Sequence, residues 1–213
     1  MAAVQDGRGG ADASAGDAGG VAAEDGVRVG GTGAVLVRLT AGHAEALLAF
    51  ERENRTYFAA SVPDRGDAYF TEFTDRHRAL LAEQAAGLCH FHLLLARDGA
   101  VLGRVNLVDA EAGSAELGYR IAERATGRGL ATAAVEAVSR LARTAYGLSE
   151  LTAVTTTDNR ASDAVLRRTG FRPVGPVDLG GLPGTRYVRS LGPRDGSPTQ
   201  HADAELQLPG VEH

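Results

Sequence analysis

Residues 124–134 read Arg124-Ala125-Thr126-Gly127-Arg128-Gly129-Leu130-Ala131-Thr132-Ala133-Ala134, between a strand-like segment and the most regular helical pattern in the chain. Two glycines flanking Arg128 let the backbone turn tightly and gather several N–H groups, and the helix that follows leaves its first N–H groups without intrahelical partners. Such a turn is a phosphate site. No side chain longer than Leu130 or Thr132 obstructs the first turn, and Arg124 and Arg128 add positive charge. A Gly-rich turn between strand and helix is also often only a turn, so its neighbours decide the reading.

Upstream, Ser114 to Ile121 reads as a strand with Leu117, Tyr119 and Ile121 on one face and Glu116, Gly118 and Arg120 on the other. Downstream, a helix from about Gly129 places Leu130, Ala131, Ala134, Val135, Val138, Leu141, Ala142 and Ala145 on one stripe and stops at Gly147. Leu151 to Thr157 is a β-branched strand. Asp158 or Asn159 caps a shorter helix through Arg168, and strands follow over Phe171–Val177 and Thr185–Leu191. On the N-terminal side, Ala34 to Leu39 is a strand, and Thr40 caps a helix carrying Ala44, Leu47, Leu48 and Glu51. Val62-Pro63 breaks any helix, and a second amphipathic helix runs from about Gly66 to Ala86. Asp98-Gly99 between the apolar runs 90–96 and 101–108 is a hairpin signal. The order β-α-α-β-β-β-α-β-α-β-β, antiparallel at first and ending in a βαβ unit, predicts an α+β fold on one mixed sheet.

The 213 residues hold one ordinary domain, placed at 34–191. Residues 1–33 and 192–213 lack apolar periodicity and are expected to be disordered tails. The net charge of -5, without a basic run, argues against nucleic acid as the principal partner. Cys89 is the only cysteine, so there is neither an intramolecular disulfide nor a cysteine zinc cluster. No signal peptide or apolar run of about eighteen residues is seen, so a cytoplasmic protein without membrane attachment is expected. All 22 basic residues are arginines, and the usual phosphate loop, which needs a lysine after its last glycine, is excluded.

Three separated motifs in order carry a family resemblance: Glu116-Leu-Gly-Tyr-Arg-Ile121, Thr126-Gly-Arg-Gly-Leu-Ala131, and Asn159-Arg-Ala-Ser162 leading to Thr169-Gly-Phe171. Together they resemble the GNAT family of acetyl-CoA-dependent N-acetyltransferases. Glu53-Asn54-Arg55 and the aromatic helix after it resemble the branch that acetylates the N-terminal residue of ribosomal proteins. The resemblance covers about Val35 to Leu191 and implies a mostly antiparallel sheet of about seven strands flanked by about four helices. It implies that acetyl-CoA is the co-substrate, its diphosphate held by the N–H groups of Gly127, Arg128, Gly129, Leu130, Ala131 and Thr132. The family loop Gln/Arg-x-x-Gly-x-Gly/Ala is met at Gly129 and Ala131 but has Thr126 at its first position, which predicts weaker coenzyme binding. The pantetheine arm is expected to pair with the main chain of Tyr119, Arg120 and Ile121 and to contact Asn159. The acceptor is expected to be a protein N-terminus or a small amine, met by Asn54, Arg55 and Tyr57, in a monomer or a homodimer.

Acetyl transfer needs a neutral amine, a polarised thioester and a proton for the departing thiolate. A protein α-amino group has a pKa of ~7.7–8.0 against ~10.4 for lysine, so only a modest base is required. Glu116 is the candidate base, acting through water, and is otherwise an exposed strand carboxylate. Ser162 is the candidate donor to the thiolate, and is otherwise plain helix surface. The tyrosine that many GNAT enzymes use as general acid corresponds to Leu166 here. Asn159 doubles as a helix cap, and Asn54 and Arg55 read equally as a turn and a solvent-facing side chain. His90 and His92 share a strand face without a third ligand nearby, so packed or surface imidazoles are expected rather than a metal site. His77 reads as a core residue.

Overall fold

The computed structural model describes residues 26–192; most of the expected tails, 1–25 and 193–213, lies outside them. Eight strands form one mixed sheet in the order β1-β2-β3-β4-β5-β6-β8-β7. They are β1 Val27–Val29, β2 Ala34–Arg38, β3 His90–Leu95, β4 Val101–Glu111, β5 Ser114–Ile121, β6 Glu150–Thr156, β7 Arg172–Asp178 and β8 Pro183–Ser190. Among the described residues the fold is α+β, with six α-helices. The predicted β3–β4 hairpin turns at Gly99, whose φ of 82° suits glycine.

β5 sits inside the sheet, and the alternation read from its sequence sorts the helices. Leu117, Tyr119 and Ile121 face α5 (Leu130–Thr144) and α6 (Arg160–Arg168), while Arg120 faces α1 (Ala44–Glu53). Leu130, Val135 and Val138 of α5 are at most 5% exposed. At roughly 1.5–3 kcal/mol per fully buried large apolar side chain, packing rather than intrinsic helicity holds this alanine-rich helix.

Three differences from the sequence reading have local causes. First, the ordered chain begins before residue 34: β1 pairs with β2 (Val27↔Leu36, Val29↔Ala34), so Val27 and Val29 are a two-residue-period strand within the stretch read as tail. Second, the helix expected over 66–86 is two, α3 (Asp67–Thr71) and α4 (Phe73–Ala85), broken at Glu72 with φ −97° and ψ 10°. The break brings Tyr69 and Phe73 edge to face with centroids 5.9 Å apart, so both rings reach the core. A short α2 (Arg55–Ala59) precedes them, anchored by buried Phe58. Third, β8 inserts between β6 and β7, which leaves β7, with Pro173, Gly175 and Pro176 and a register shift between Pro173 and Gly175, as the outermost strand.

β5 is antiparallel to β4 along nearly its whole length, from Glu116 to Ile121. To the parallel β6 it is paired only over Ser114–Glu116 with Glu150–Thr152, whereas β6 continues to Thr156 on β8. The two strands therefore splay after Glu116, and the main chain of Leu117 to Ile121 has an open edge.

Candidate active site

The turn after β5 has the geometry its glycines predict. Gly127 and Gly129 both have φ 74°, and Gly129, in the left-handed region, is the N-cap of α5. The first helical bond runs from Ala133 N–H to the Gly129 carbonyl, 3.0 Å, so the N–H groups of Leu130, Ala131 and Thr132 lie ahead of the helix's own ladder. Arg128 is exposed beside them. Arg124, expected to add charge to the turn, donates to the Val101 carbonyl at 2.9 Å and ties the turn to β4. Thr126 donates from its hydroxyl to the Glu123 carbonyl at 2.8 Å, so its side chain closes the turn's entry. A cluster of N–H donors at a helix N-terminus, beside an unpaired strand edge, suits a diphosphate carrying an amide-bearing arm.

On the α6 side of the splay, Asn159 caps α6, its Oδ1 accepting from Ser162 N–H at 3.1 Å. Ser162 is buried at 1% exposure, not helix surface, and its Oγ lies 3.0 Å from the Tyr119 hydroxyl. Burial pushes the Tyr119 phenol up to about 12. Leu166 is fully buried in the core and has no proton to give.

The opposite face of β5 is charged. Glu51, 1% exposed, meets Arg120 Nη1 at 3.2 Å through Oε2 and Arg104 Nε at 3.1 Å through Oε1. Arg120 thus contributes a buried side chain as well as the main chain expected of it, and its guanidinium lies 5.0 Å from the Phe58 ring centroid. Asn106, 1% exposed, stands opposite Gly118 in the β4–β5 register, with Oδ1 lacking a partner among the described residues. Glu116 lies on this face too, four residues from Arg120 and so about 13 Å along the strand. Burial raises its pKa above the usual carboxylate value; Arg186, 3.9 Å away on β8, opposes this and Asp109 adds to it.

Beside Arg120 a small cleft is lined by Glu51, Arg55, Phe58, Pro63, Phe70 and others. Of the three residues expected to meet the acceptor, only Arg55 lines it. Its guanidinium bridges Asp64 (2.6 Å) and Asp67 (2.7 Å) and lies over the Phe70 ring, which fixes the loop between α2 and α3. Asn54 is instead a buried bracket: Nδ2 donates to the Phe50 carbonyl at 2.9 Å and Oδ1 accepts from Glu123 N–H at 3.0 Å, joining α1 to the turn before α5. Tyr57 is half-buried against Phe58, ring centroids 5.8 Å apart.

The histidines pack, as expected. His90 stacks on Tyr146 at 3.7 Å, His92 is 2.7 Å from the Tyr146 hydroxyl, and His77 reaches the Thr40 carbonyl at 3.2 Å. Sequence reasoning missed the Glu51–Arg104–Arg120 cluster, although one signal was present: Glu51 is a charge on an apolar helical stripe.

A family model described as an acetyltransferase (GNAT) domain matches residues 34–172. The chain belongs to the GNAT acetyltransferases. It is an acetyl-CoA-dependent enzyme. No curated protein matches the sequence. Among solved structures, the ribosomal-protein-S5-alanine acetyltransferase from Vibrio fischeri superposes with TM-score 0.70 at 17% identity, covering 74% of this chain and 93% of that one. RimL, a ribosomal L7/L12 α-N-protein acetyltransferase in complex with coenzyme A, gives 0.68 at 20% identity, covering 78% and 98%. The microcin C7 self-immunity acetyltransferase MccE, with acetyl-CoA and AMP, gives 0.67 at 17%, covering 78% and 97%. At these identities the likeness is one of fold.

Proposed function

We propose that this chain transfers the acetyl group of acetyl-CoA to the N-terminal α-amino group of a protein in the cytoplasm. The observation that carries the reading is the splay of β5 from β6, with Glu116 facing one side and the Tyr119–Ser162 pair the other. A thioester laid in that opening is attacked by an amine arriving on the Glu116 face, while its sulfur departs toward α6. Glu116, its pKa raised by burial, takes the amine's proton through water. Ser162 donates a hydrogen bond to the thiolate as it forms. The N–H groups of residues 127–132 hold the diphosphate, the main chain of Tyr119, Arg120 and Ile121 pairs with the pantetheine arm, and Asn159 contacts that arm. The acceptor enters through the cleft lined by Arg55, with Tyr57 supporting the lining residue Phe58 and Asn54 holding the end of α1 in place.

The test is release of free thiol from acetyl-CoA by the purified protein against two panels, peptides with varied N-terminal residues and small amines (aminoglycosides, polyamines, amino acids). Acetylated peptides are expected. Acetylation of small amines alone replaces the acceptor, and tight coenzyme binding without thiol release on either panel replaces the enzyme reading by a binding module.

A further inference from the structure

The Tyr119 and Ser162 hydroxyls are 3.0 Å apart, and their residues are 4% and 1% exposed. A hydroxyl has one proton to donate and two lone pairs. In a buried pair only one O–H can lie on the shared line, so the other must point elsewhere. A phenol is the stronger donor of the two, because its oxygen tolerates negative charge better than an aliphatic alcohol's. Tyr119 remains protonated throughout the neutral range, burial holding its phenol up at about 12. Ser162 is fixed from the other side, its N–H taken by Asn159 Oδ1 at 3.1 Å.

We propose that Tyr119 is a positioning residue: its O–H donates to Ser162 Oγ and so turns the Ser162 proton toward the departing thiolate. This rests on the role given to Ser162 above. In the step served, the amine nitrogen bonds to the carbonyl carbon and the C–S bond breaks with its electron pair on sulfur. The proton lost by nitrogen ends on sulfur as the free thiol, and Tyr119 and Ser162 keep theirs. One residue thereby serves both ends of the arm, its main chain on the open edge beside the pantetheine and its side chain governing the group that meets the sulfur.

The test uses coenzyme A bound to the full chain, with thiol acidity read from thiolate ultraviolet absorbance against pH and affinity read by calorimetry. Tyr119→Phe keeps the ring and removes the donor. Each of Tyr119→Phe and Ser162→Ala is expected to weaken the acidity of the bound thiol by roughly fivefold, with the double variant no worse than Ser162→Ala and affinities within about twofold of the parent. A purely structural tyrosine leaves thiol acidity at the parent value. Effects that multiply in the double variant, or a Tyr119→Phe thiol as acidic as the parent's, overturn the proposal while leaving Ser162 in place. A Ser162→Ala thiol as acidic as the parent's sinks the Ser162 role itself, and with it this one. Should Tyr119→Phe fail to fold, replacing tyrosine by the more acidic 3-fluorotyrosine must make the bound thiol more acidic, and an unchanged titration counts against the proposal.

Discussion

The two sides of β5, proposed above for coenzyme and for acceptor, are built from different materials. The turn at 126–129 and the open strand edge offer mostly main-chain N–H and C=O groups, made available by glycine conformation and by where two strands part. The acceptor face offers side chains, Glu51, Arg104, Asn106, Glu116, Arg120 and Arg186, drawn from α1 and three strands. A backbone site survives sequence drift because most substitutions leave N–H groups in place. A side-chain site can be retuned one residue at a time.

Experiments that break this contrast differ in expected size. Glu116→Gln is expected to lower kcat by roughly 10²–10⁴-fold, in line with loss of a general base, with little change in coenzyme affinity; steady-state kinetics on the acetylated peptide decide it. Because a base works deprotonated and burial raises the pKa of Glu116, the parent's acid limb should lie above the usual carboxylate range. Arg186→Gln should move it higher still by removing the opposing cation. Glu51→Ala leaves two buried guanidiniums without their carboxylate and should cost about 3–5 kcal/mol in a urea melt, a large loss that no alanine at an exposed position would give.

A further test concerns the core beside Tyr146. Burial, chiefly, lowers His92 from 6.5 to about 4. The unfolded chain then binds a proton that the folded one refuses, so the stability present above pH 6.5 falls as pH drops toward 4. At pH 5 the loss is about 2 kcal/mol from this residue, and His90 and His77 are lowered in the same direction by burial. A His92→Gln chain should show a flatter dependence of urea midpoint on pH between 7 and 5. The smallest effect belongs to the coenzyme side: Thr126→Gln should tighten acetyl-CoA by about threefold, within the worth of one net hydrogen bond. A weaker affinity would mean that the Thr126–Glu123 contact, which closes the turn, matters more than the longer amide.

The same contrast explains what was legible in the sequence. The turn, α5 and the Asn159 cap rest on interactions between residues a few positions apart, and the structure has them within one or two residues of expectation. Glu51 and Arg120 are 69 residues apart, and Tyr119 and Ser162 43; no local period announces such pairs. The sequence suggests an acceptor-lining role for Asn54, yet only the fold reveals that Glu123 N–H is its partner. Alternation on β5 puts Arg120 and Glu116 on one face, as the structure has them, but no local pattern shows that α1 covers that face at Arg120.

The outermost strand, β7, has Pro173 and Pro176 and a register shift between them. Proline lacks the N–H that a ladder requires, so a second polypeptide adding itself to this margin would find the row of donors interrupted twice within seven residues. The sheet is thereby closed to growth by strand addition at this end, and copies of the chain that associate here must do so through side chains.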